Sequence, residues 1–163
     1  MRKQTTEENP LLIRPARADE AGAIVALLHR AFGQYRGKLQ PESGALSENI
    51  DTISSVMSVG TVLVAMGDGI AGCVAVQQKG DFAYAGRLAV DPGVRGMGVG
   101  RALMAAAEAM ARQMGAGRLR VDVRLALPEN RRFFRALGFA EGAHRCHPGF
   151  TRPTYVELEK ILI

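Results

Sequence analysis

Four glycines within the eight residues 93–100 form the part of the sequence best suited to bind an anion. The segment 89–102 joins an apolar, strand-like run to a long alanine-rich amphipathic run. The backbone N–H groups at the start of a helix have no intrahelical partner and carry the positive end of the helix dipole. A phosphate group satisfies both features, so the segment predicts a phosphate site.

Two common phosphate-binding motifs do not fit this segment. A P-loop requires lysine followed by serine or threonine, and the segment has neither lysine nor a hydroxyl residue. A dinucleotide fingerprint that began at Gly96 would need glycine where Arg101 stands. One that began at Gly98 would need a small residue where Leu103 stands. The common nucleotide-binding folds are therefore excluded.

A different pattern does fit. Residues 95–100 read Arg-x-x-Gly-x-Gly after an Ala-Val-Asp-Pro strand end, and Pro128-Glu129-Asn130 and Phe-Phe-Arg-Ala-Leu-Gly-Phe at 133–139 follow further along. These two motifs, each in a strand–turn–helix context, resemble the GNAT superfamily of acetyl-coenzyme A-dependent N-acetyltransferases. The order of the elements matches as well, so the resemblance extends from Leu11 to the end of the chain.

The resemblance implies that coenzyme A binds around the start of the long helix. The N–H groups of residues 95–101 would surround its pyrophosphate, and Gly98 and Gly100 would allow close approach because they carry no β-carbon. The backbone of the preceding strand would pair with the amides of pantetheine, and Asn130 would form a hydrogen bond with the pantetheine as well. The family asparagine, however, commonly stands where this sequence has Leu127. The implied cofactor-binding residues are Leu88, Ala89, Val90, Arg95, Gly96, Met97, Gly98, Val99, Gly100, Arg101, Asn130 and Phe133.

The implied reaction is direct attack of a primary amine on the thioester carbonyl in a ternary complex. It needs a neutral amine, a hydrogen-bond donor for the oxyanion and a route for protonating the thiolate. A backbone N–H near Leu88 to Val90 is the expected donor. Many family members have a tyrosine as the acid where this chain has Phe134. A thiol with a pKa of about 8.5 can nevertheless depart largely as thiolate.

Four other side chains are candidates for acid–base work or acceptor binding. We expect Tyr155 and His147 to be catalytic and Tyr84 and His144 to contact the acceptor, because tyrosine and histidine readily exchange protons. Each has an alternative role as an ordinary structural or surface residue.

Three further positions have less defined roles. Asp122 is a candidate base, but Arg120 and Arg124 flank it, so an ion pair is the alternative. Tyr35 and Arg36 lie in a glycine-rich loop that corresponds to the acceptor wall of the family. The acceptor is a small-molecule or peptide amine whose identity the sequence does not name, because variable loops build this wall.

Two alternative functions stay open. The absence of the usual tyrosine at Phe134 suggests a coenzyme A-binding module without catalysis. The net charge of +5 suggests a nucleic-acid-binding domain, but the chain has no lysine-rich block and no recognition helix, which makes nucleic acid a weak hypothesis.

The elements that position these residues follow from apolar spacing. Strands are predicted at 11–14, 61–66, 70–76, 82–90, 118–125, 139–146 and 153–161, and helices at 18–32, 47–57, 99–114 and 128–137. In the central strand, Phe82, Tyr84, Leu88 and Val90 are predicted to share one face. The order indicates an α/β (α+β) fold with a mixed, mostly antiparallel sheet of six or seven strands and helices on both faces, as in GNAT proteins.

The chain length of 163 residues predicts a single domain, and the resemblance implies that it is an N-acetyltransferase domain at 11–163. Residues 1–10 are polar and are expected to be a flexible lead-in rather than a signal peptide. No apolar run approaches a membrane span, so no membrane partner is expected. The two cysteines, Cys73 and Cys146, lie far apart, which indicates a reduced cytoplasm rather than a disulfide framework. Neither has metal-ligand spacing around it, so no metal site is expected. A homodimer through the last strands is also expected.

Overall fold

Residues 11–163, the part of the chain that the computed structural model describes, contain one sheet of seven strands. The strands are β1 (Leu12–Pro15), β2 (Thr61–Met66), β3 (Ile70–Lys79), β4 (Phe82–Val90), β5 (Arg118–Arg124), β6 (Ala140–Arg145) and β7 (Tyr155–Ile161). The helices are α1 (Ala21–Phe32), α2 (Ile50–Val59), α3 (Val99–Gln113) and α4 (Pro128–Ala136). The predicted lead-in at 1–10 lies outside the described residues, and the single domain at 11–163 stays a prediction.

The strand order is β1-β2-β3-β4-β5-β7-β6, and every neighbouring pair is antiparallel except β4 and β5. Helices α1 and α2 pack on one face of the sheet, whereas α3 and α4 pack on the other. Strands β2 and β3 bury side chains on both faces, which is why their sequences are almost continuously apolar. The predicted fold class is confirmed.

The prediction that four residues of β4 share one face is wrong. Arg87 and Leu88 together oppose the single residue Val74 of β3, and this β-bulge has a positive φ of 55° at Arg87. The extra residue reverses the alternation, so Leu88 and Val90 pack on the α3 side. Phe82 and Tyr84 remain on the opposite face, because their neighbours Ala83 and Ala85 occupy the α3 side.

The sheet opens between β4 and β5. The two strands pair at Ala83 with Leu119 and at Tyr84 with Arg120. Beyond these positions the segments 85–90 and 121–124 line a cleft. The sheet therefore presents unpaired backbone groups to whatever fills that cleft.

Two helices begin later than their apolar patterns predict. A short 3-10 turn at Ala18–Glu20 precedes α1, and α2 begins after Asn49 rather than at Ser47. The Asn49 side chain accepts the N–H of Thr52 at 3.0 Å, and the Asn49 N–H donates to the Thr52 hydroxyl at 2.8 Å. This reciprocal cap fixes the helix start. No helix within residues 11–163 has the length and apolar character to cross a membrane.

Candidate active site

The glycine-rich segment starts α3 with its amide groups free. Gly98 caps the helix in the left-handed conformation at φ +82°, and Gly96 has φ +79°. The first hydrogen bond of α3 runs from the Ala102 N–H to the Gly98 carbonyl at 3.0 Å. Among the hydrogen bonds of residues 11–163, none uses the N–H groups of residues 96–101 as donors. The segment therefore has the unpartnered donors of an anion site.

Phe133 of α4 packs against this helix start. A β-carbon at Gly100 would lie 3.4 Å from Phe133 Cζ and 3.6 Å from Val90 Cγ2. Phe133 in turn meets Phe134 edge to face, with ring centroids 5.0 Å apart. These are ordinary van der Waals distances, so Phe133 and Val90 lie directly beside position 100 and the free amides.

A cleft of about 640 Å³ connects these amides with the opening between β4 and β5. Of the sequence-predicted cofactor residues, it is lined by Leu88, Ala89, Val90, Arg95, Gly96, Gly98, Val99, Gly100, Arg101, Asn130 and Phe133. Met97 does not line it, and that residue is 74% exposed. Leu127, the position where the family commonly has asparagine, lines the same cleft as Asn130.

The side chain of Arg95 has a structural partner. Its guanidinium donates to the carbonyl of Ala31, near the end of α1, at 2.9 Å. Tyr35, in the loop after α1, lines the same cleft, whereas Arg36 is exposed and does not. The loop after α1 therefore contributes to the cleft through Tyr35.

A second cavity of about 320 Å³ adjoins the cleft on the polar face of β5. It is lined by Ser43, Gly44, Tyr84, Asp122, Arg124, His147, Pro148 and Tyr155. Ser43, Asp122 and Arg124 line both spaces. The structure thus brings together three of the four side chains that sequence analysis singles out for proton transfer or acceptor contact. The fourth, His144, lies exposed on β6 and lines neither space.

Tyr84 and Asp122 are electrostatically coupled across β4 and β5. Burial, followed by the charge of Asp122, raises the pKa of Tyr84, so this hydroxyl keeps its proton. Loss of surrounding water raises the pKa of Asp122, and the charge of Glu157, its partner across β5 and β7, adds to the rise.

The arginines that flank Asp122 are engaged elsewhere. Arg120 donates to Glu159 at 2.9 Å, and Arg124 donates to the carbonyl of Glu42 at 3.1 Å. Within residues 11–163, Asp122 forms no ion pair with either arginine. The ion-pair alternative raised by the sequence is therefore not realised.

His147 lies at the turn between β6 and β7. Its carbonyl accepts the N–H of Phe150 at 3.0 Å across a Pro-Gly turn in which Gly149 has φ +84°. Its ring meets the ring of Tyr155 edge to face at 4.9 Å. Burial and the positive charge of Arg124 lower the pKa of His147, which favours the neutral imidazole.

Sequence reasoning missed two residues that support this site. Thr154 contacts the His147 ring, and Glu48 holds Arg87 of the β4 bulge. The Pro-Gly turn predicts that the strands flanking it meet, which was a usable signal for Thr154. No spacing rule links Glu48 to Arg87, because the contact joins two elements distant in sequence.

The cysteines take no part in this site. Cys73 is buried, and burial raises the pKa of its thiol to about 12, whereas Cys146 is exposed. No group of three His, Cys, Asp or Glu side chains within residues 11–163 is arranged to hold a metal ion.

Comparisons with known proteins agree with this architecture. The sequence matches the model of the GNAT acetyltransferase family over residues 24–139, and no curated protein matches it at a significant level. Among similar solved structures, yncA of Salmonella typhimurium, solved with its cofactor acetyl-CoA, is 18% identical, covers 95% of each chain and has a TM-score of 0.74. The ribosomal-protein-S18-alanine N-acetyltransferase of Escherichia coli is 20% identical, with 91% of this chain and 90% of that chain covered and a TM-score of 0.71.

A third similar structure is the GCN5-related N-acetyltransferase of Rhodopseudomonas palustris, at 21% identity, 93% and 96% coverage and a TM-score of 0.75. At these identities the structures support the fold alone. The family model, however, spans more than half of the chain. The chain therefore belongs to the GNAT acetyltransferase family, and the resemblance inferred from the two glycine-containing motifs is confirmed.

Proposed function

We propose that this protein transfers the acetyl group of acetyl-CoA to a primary amine of a small molecule or peptide, by direct attack in a ternary complex. The observation that carries the proposal is that the larger cleft and the second cavity meet at Asp122 and Arg124. The cleft begins at free amides suited to a pyrophosphate, and the second cavity is lined by the titratable side chains.

The residues of the larger cleft fit coenzyme A. The N–H groups of residues 96–101 offer donors to the pyrophosphate, and Gly98 leaves open space beside them, since an added β-carbon there would meet no atom within 4 Å. The unpaired backbone of β4 faces the cleft at 88–90 and suits the amides of pantetheine. Acetyl-CoA supplies the acetyl group as an activated thioester.

The chain's own groups supply the remaining needs of the reaction. His147, neutral because its pKa is lowered, accepts the proton of the attacking amine at its ring nitrogen, and Asp122, which lines the same cavity, orients that amine. A backbone N–H between Leu88 and Val90 stabilises the developing charge on the carbonyl oxygen. Tyr155 packs against the His147 ring and restricts its movement.

Departure of the thiol needs no general acid at position 134, where this chain has phenylalanine. This residue lines the cleft at 8% exposure and carries no hydroxyl. A thiolate is a stable leaving group because its conjugate thiol has a pKa of about 8.5.

Location and assembly belong to the same proposal. We propose a cytoplasmic protein that forms homodimers through its last strands. Strand β6 lies at the edge of the sheet and all six of its residues are exposed, which leaves its backbone available to a second copy.

An assay of CoA release tests the proposal. Purified protein with acetyl-CoA labelled in the acetyl group is incubated with a panel of amines that includes polyamines, aminoglycosides, free lysine and peptides with free N-termini. Release of free thiol should depend on the amine, and label should appear on nitrogen. His147→Gln should suppress release, whereas His144→Gln, at an exposed histidine outside both spaces, should not.

The alternative is a coenzyme A-binding module without catalysis, which the phenylalanine at position 134 favours. Such a module would gain thermal stability with acetyl-CoA but release no thiol with any amine in the panel. The absence of both stabilisation and release would count against every acyl-CoA function.

A further inference from the structure

His147 and Thr154 face each other at the loop end of the β6–β7 hairpin. The backbone N–H of His147 donates to the Thr154 hydroxyl oxygen at 3.0 Å, and ring atom Nδ1 of His147 lies in close contact with the same oxygen. The Thr154 N–H donates to the carbonyl of Arg145 at 2.8 Å, which anchors this residue next to β6. The His147 ring is thereby held from its Nδ1 side.

The hydrogen-bonding capacity of a hydroxyl restricts how this contact is made. A threonine hydroxyl has one hydrogen to donate and two lone pairs that accept. One lone pair accepts the His147 backbone N–H at 3.0 Å, and the hydroxyl hydrogen can point toward the Arg145 carbonyl, whose oxygen lies 3.5 Å away, farther than in a normal O–H···O hydrogen bond. The lone pair that remains can accept a hydrogen from Nδ1.

The opposite arrangement would remove the proton acceptor from Nε2. If the proton were on Nε2, the Thr154 hydroxyl would donate to Nδ1 and turn away from the Arg145 carbonyl, and Nε2 would be a donor that cannot accept the proton of an amine. A proton on Nδ1 keeps the Thr154 oxygen as its acceptor and leaves the Nε2 lone pair unused by the protein contacts of residues 11–163, on a residue that lines the second cavity.

We propose that Thr154 is a positioning residue that fixes His147 in the Nδ1–H form, so that Nε2 accepts the proton of the acceptor amine. This inference rests on the proposed function for the role of Nε2. In the step itself, the amine forms its bond to the acetyl carbon, its proton passes to Nε2, and the bond to sulfur breaks with its electron pair leaving on the thiolate. The bond from Nδ1 to Thr154 persists when the ring becomes protonated, because Nδ1 is a donor in both states.

Nitrogen-15 NMR of the free protein tests the tautomer without any acetyl-CoA. Long-range proton–nitrogen spectra, recorded above the pKa of His147, should show Nδ1 with the shift of a protonated ring nitrogen and Nε2 with that of an unprotonated one. Thr154→Val keeps the shape but removes the hydroxyl, and should lose this pattern. Thr154→Ser keeps the hydroxyl and should retain it.

Kinetics supply the second readout. Thr154→Val should lower kcat by about tenfold or more, part of the roughly 10²–10⁴ that a positioned base contributes, with little change in KM for acetyl-CoA. Thr154→Ser should stay close to the wild-type kcat. A purely structural role would instead show as a loss of stability in which kcat per folded molecule is unchanged.

Several results would overturn the inference. A protonated Nε2 in the wild type would do so even if Thr154→Val fails to fold, and so would an unchanged pattern in Thr154→Val or loss of the pattern in Thr154→Ser. If the wild-type pattern appears but no amine is acetylated, the proposed function fails while the tautomer stands.

Discussion

The guanidinium of Arg87 donates from Nε to the carboxylate of Glu48 at 2.6 Å, and this contact holds the bulge of β4. Glu48 is only 8% exposed and also accepts the hydroxyl of Thr52 at the start of α2. A positive φ is uncommon for a residue other than glycine, so Arg87 needs such support to keep its conformation. Because the bulge turns Leu88 toward the cleft, the ion pair connects α2 to the proposed oxyanion donor.

Replacing Glu48 by glutamine should therefore affect both stability and transfer. Glu48→Gln leaves Arg87 without its charged partner, and we expect a loss of about 1–3 kcal/mol in the free energy of unfolding, measured in urea. The kcat of acetyl transfer should fall as well, because the bulge backbone relaxes. Glu141→Gln is the matched control, since Glu141 pairs with Arg131 at 2.9 Å outside the cleft. A normal kcat in Glu48→Gln, or an equal kcat loss in the control, would contradict this role for the bulge.

Glu20 should make the protein sensitive to acid. Hydrogen bonds from Arg14 and from the backbone N–H of Arg17 lower the pKa of Glu20 from its ordinary value of 4.5 to about 2. Because the folded pKa lies below the unfolded one, the stabilisation is present above pH 4.5 and is lost as the pH falls toward 2. Urea unfolding at several pH values in this range should show that the free energy of unfolding falls less steeply with decreasing pH in Glu20→Gln than in the wild type. Asp19→Asn, at the exposed neighbour, should show the same dependence of unfolding free energy on pH as the wild type. An identical dependence in all three proteins would refute the assignment of the acid sensitivity to Glu20.

Gly98 and Gly115 offer a matched pair at opposite ends of α3. They have φ values of +82° and +81°, and an added β-carbon would meet no atom within 4 Å at either position. Alanine should cost about 1–2 kcal/mol of unfolding free energy at each, because both backbones are left-handed. Only Gly98→Ala, beside the free amides, should weaken acetyl-CoA binding, by about tenfold, which is about 1.4 kcal/mol. Calorimetric titration of both variants with acetyl-CoA checks this prediction. Equal affinities of the two variants would show that the pyrophosphate does not bind beside Gly98.

The pH dependence of transfer should report His147. Its pKa lies below the ordinary 6.5 because of burial and the charge of Arg124, so kcat/KM should rise with pH through a midpoint below 6.5 as the ring loses its proton. His147→Gln should remove this rise and lower kcat by roughly 10²–10⁴. Asp122 lines the same cavity, and loss of surrounding water raises its pKa above the ordinary value, so this carboxyl is the alternative source of the rise. If the rise persists in His147→Gln and vanishes in Asp122→Asn, the base is Asp122 instead.

Placing a tyrosine at position 134 should have little effect on the rate. Phe134 is buried between the rings of Phe133 and Phe139, and a departing thiolate needs no strong acid. We expect Phe134→Tyr to change kcat by less than about tenfold, since a required general acid would be worth about 10²–10⁴. A rise of a hundredfold or more in steady-state kcat would show that proton delivery to the thiol limits the reaction.

Local sequence signals predicted the start of α3 and the sheet, and each has a local physical cause. The glycines of residues 93–100 precede an amphipathic run, so the sequence itself marks a helix that begins with free amides. Asn49 and Thr52 also form a local signal, three residues apart, that places the start of α2 correctly although the apolar pattern alone does not.

What could not be predicted depends on contacts between distant elements. Nothing at Arg87 indicates a positive φ, because its conformation is stabilised by Glu48 from another part of the chain. The assembly of Tyr84, Asp122 and His147 around one cavity likewise depends on how β4, β5 and the β6–β7 turn meet. Single residues with catalytic potential can thus be named from sequence, whereas their grouping needs the fold.

Calorimetric titration with acetyl-CoA and with S-acetylpantetheine tests the central claim most directly. The two ligands share the thioester and the pantetheine amides, but only acetyl-CoA has the pyrophosphate and nucleotide. If the free amides of residues 96–101 hold the pyrophosphate, acetyl-CoA should bind saturably at one site per chain and at least about a hundredfold more tightly, a difference of about 2.7 kcal/mol. Equal affinities, or no saturable binding of acetyl-CoA, would contradict the account.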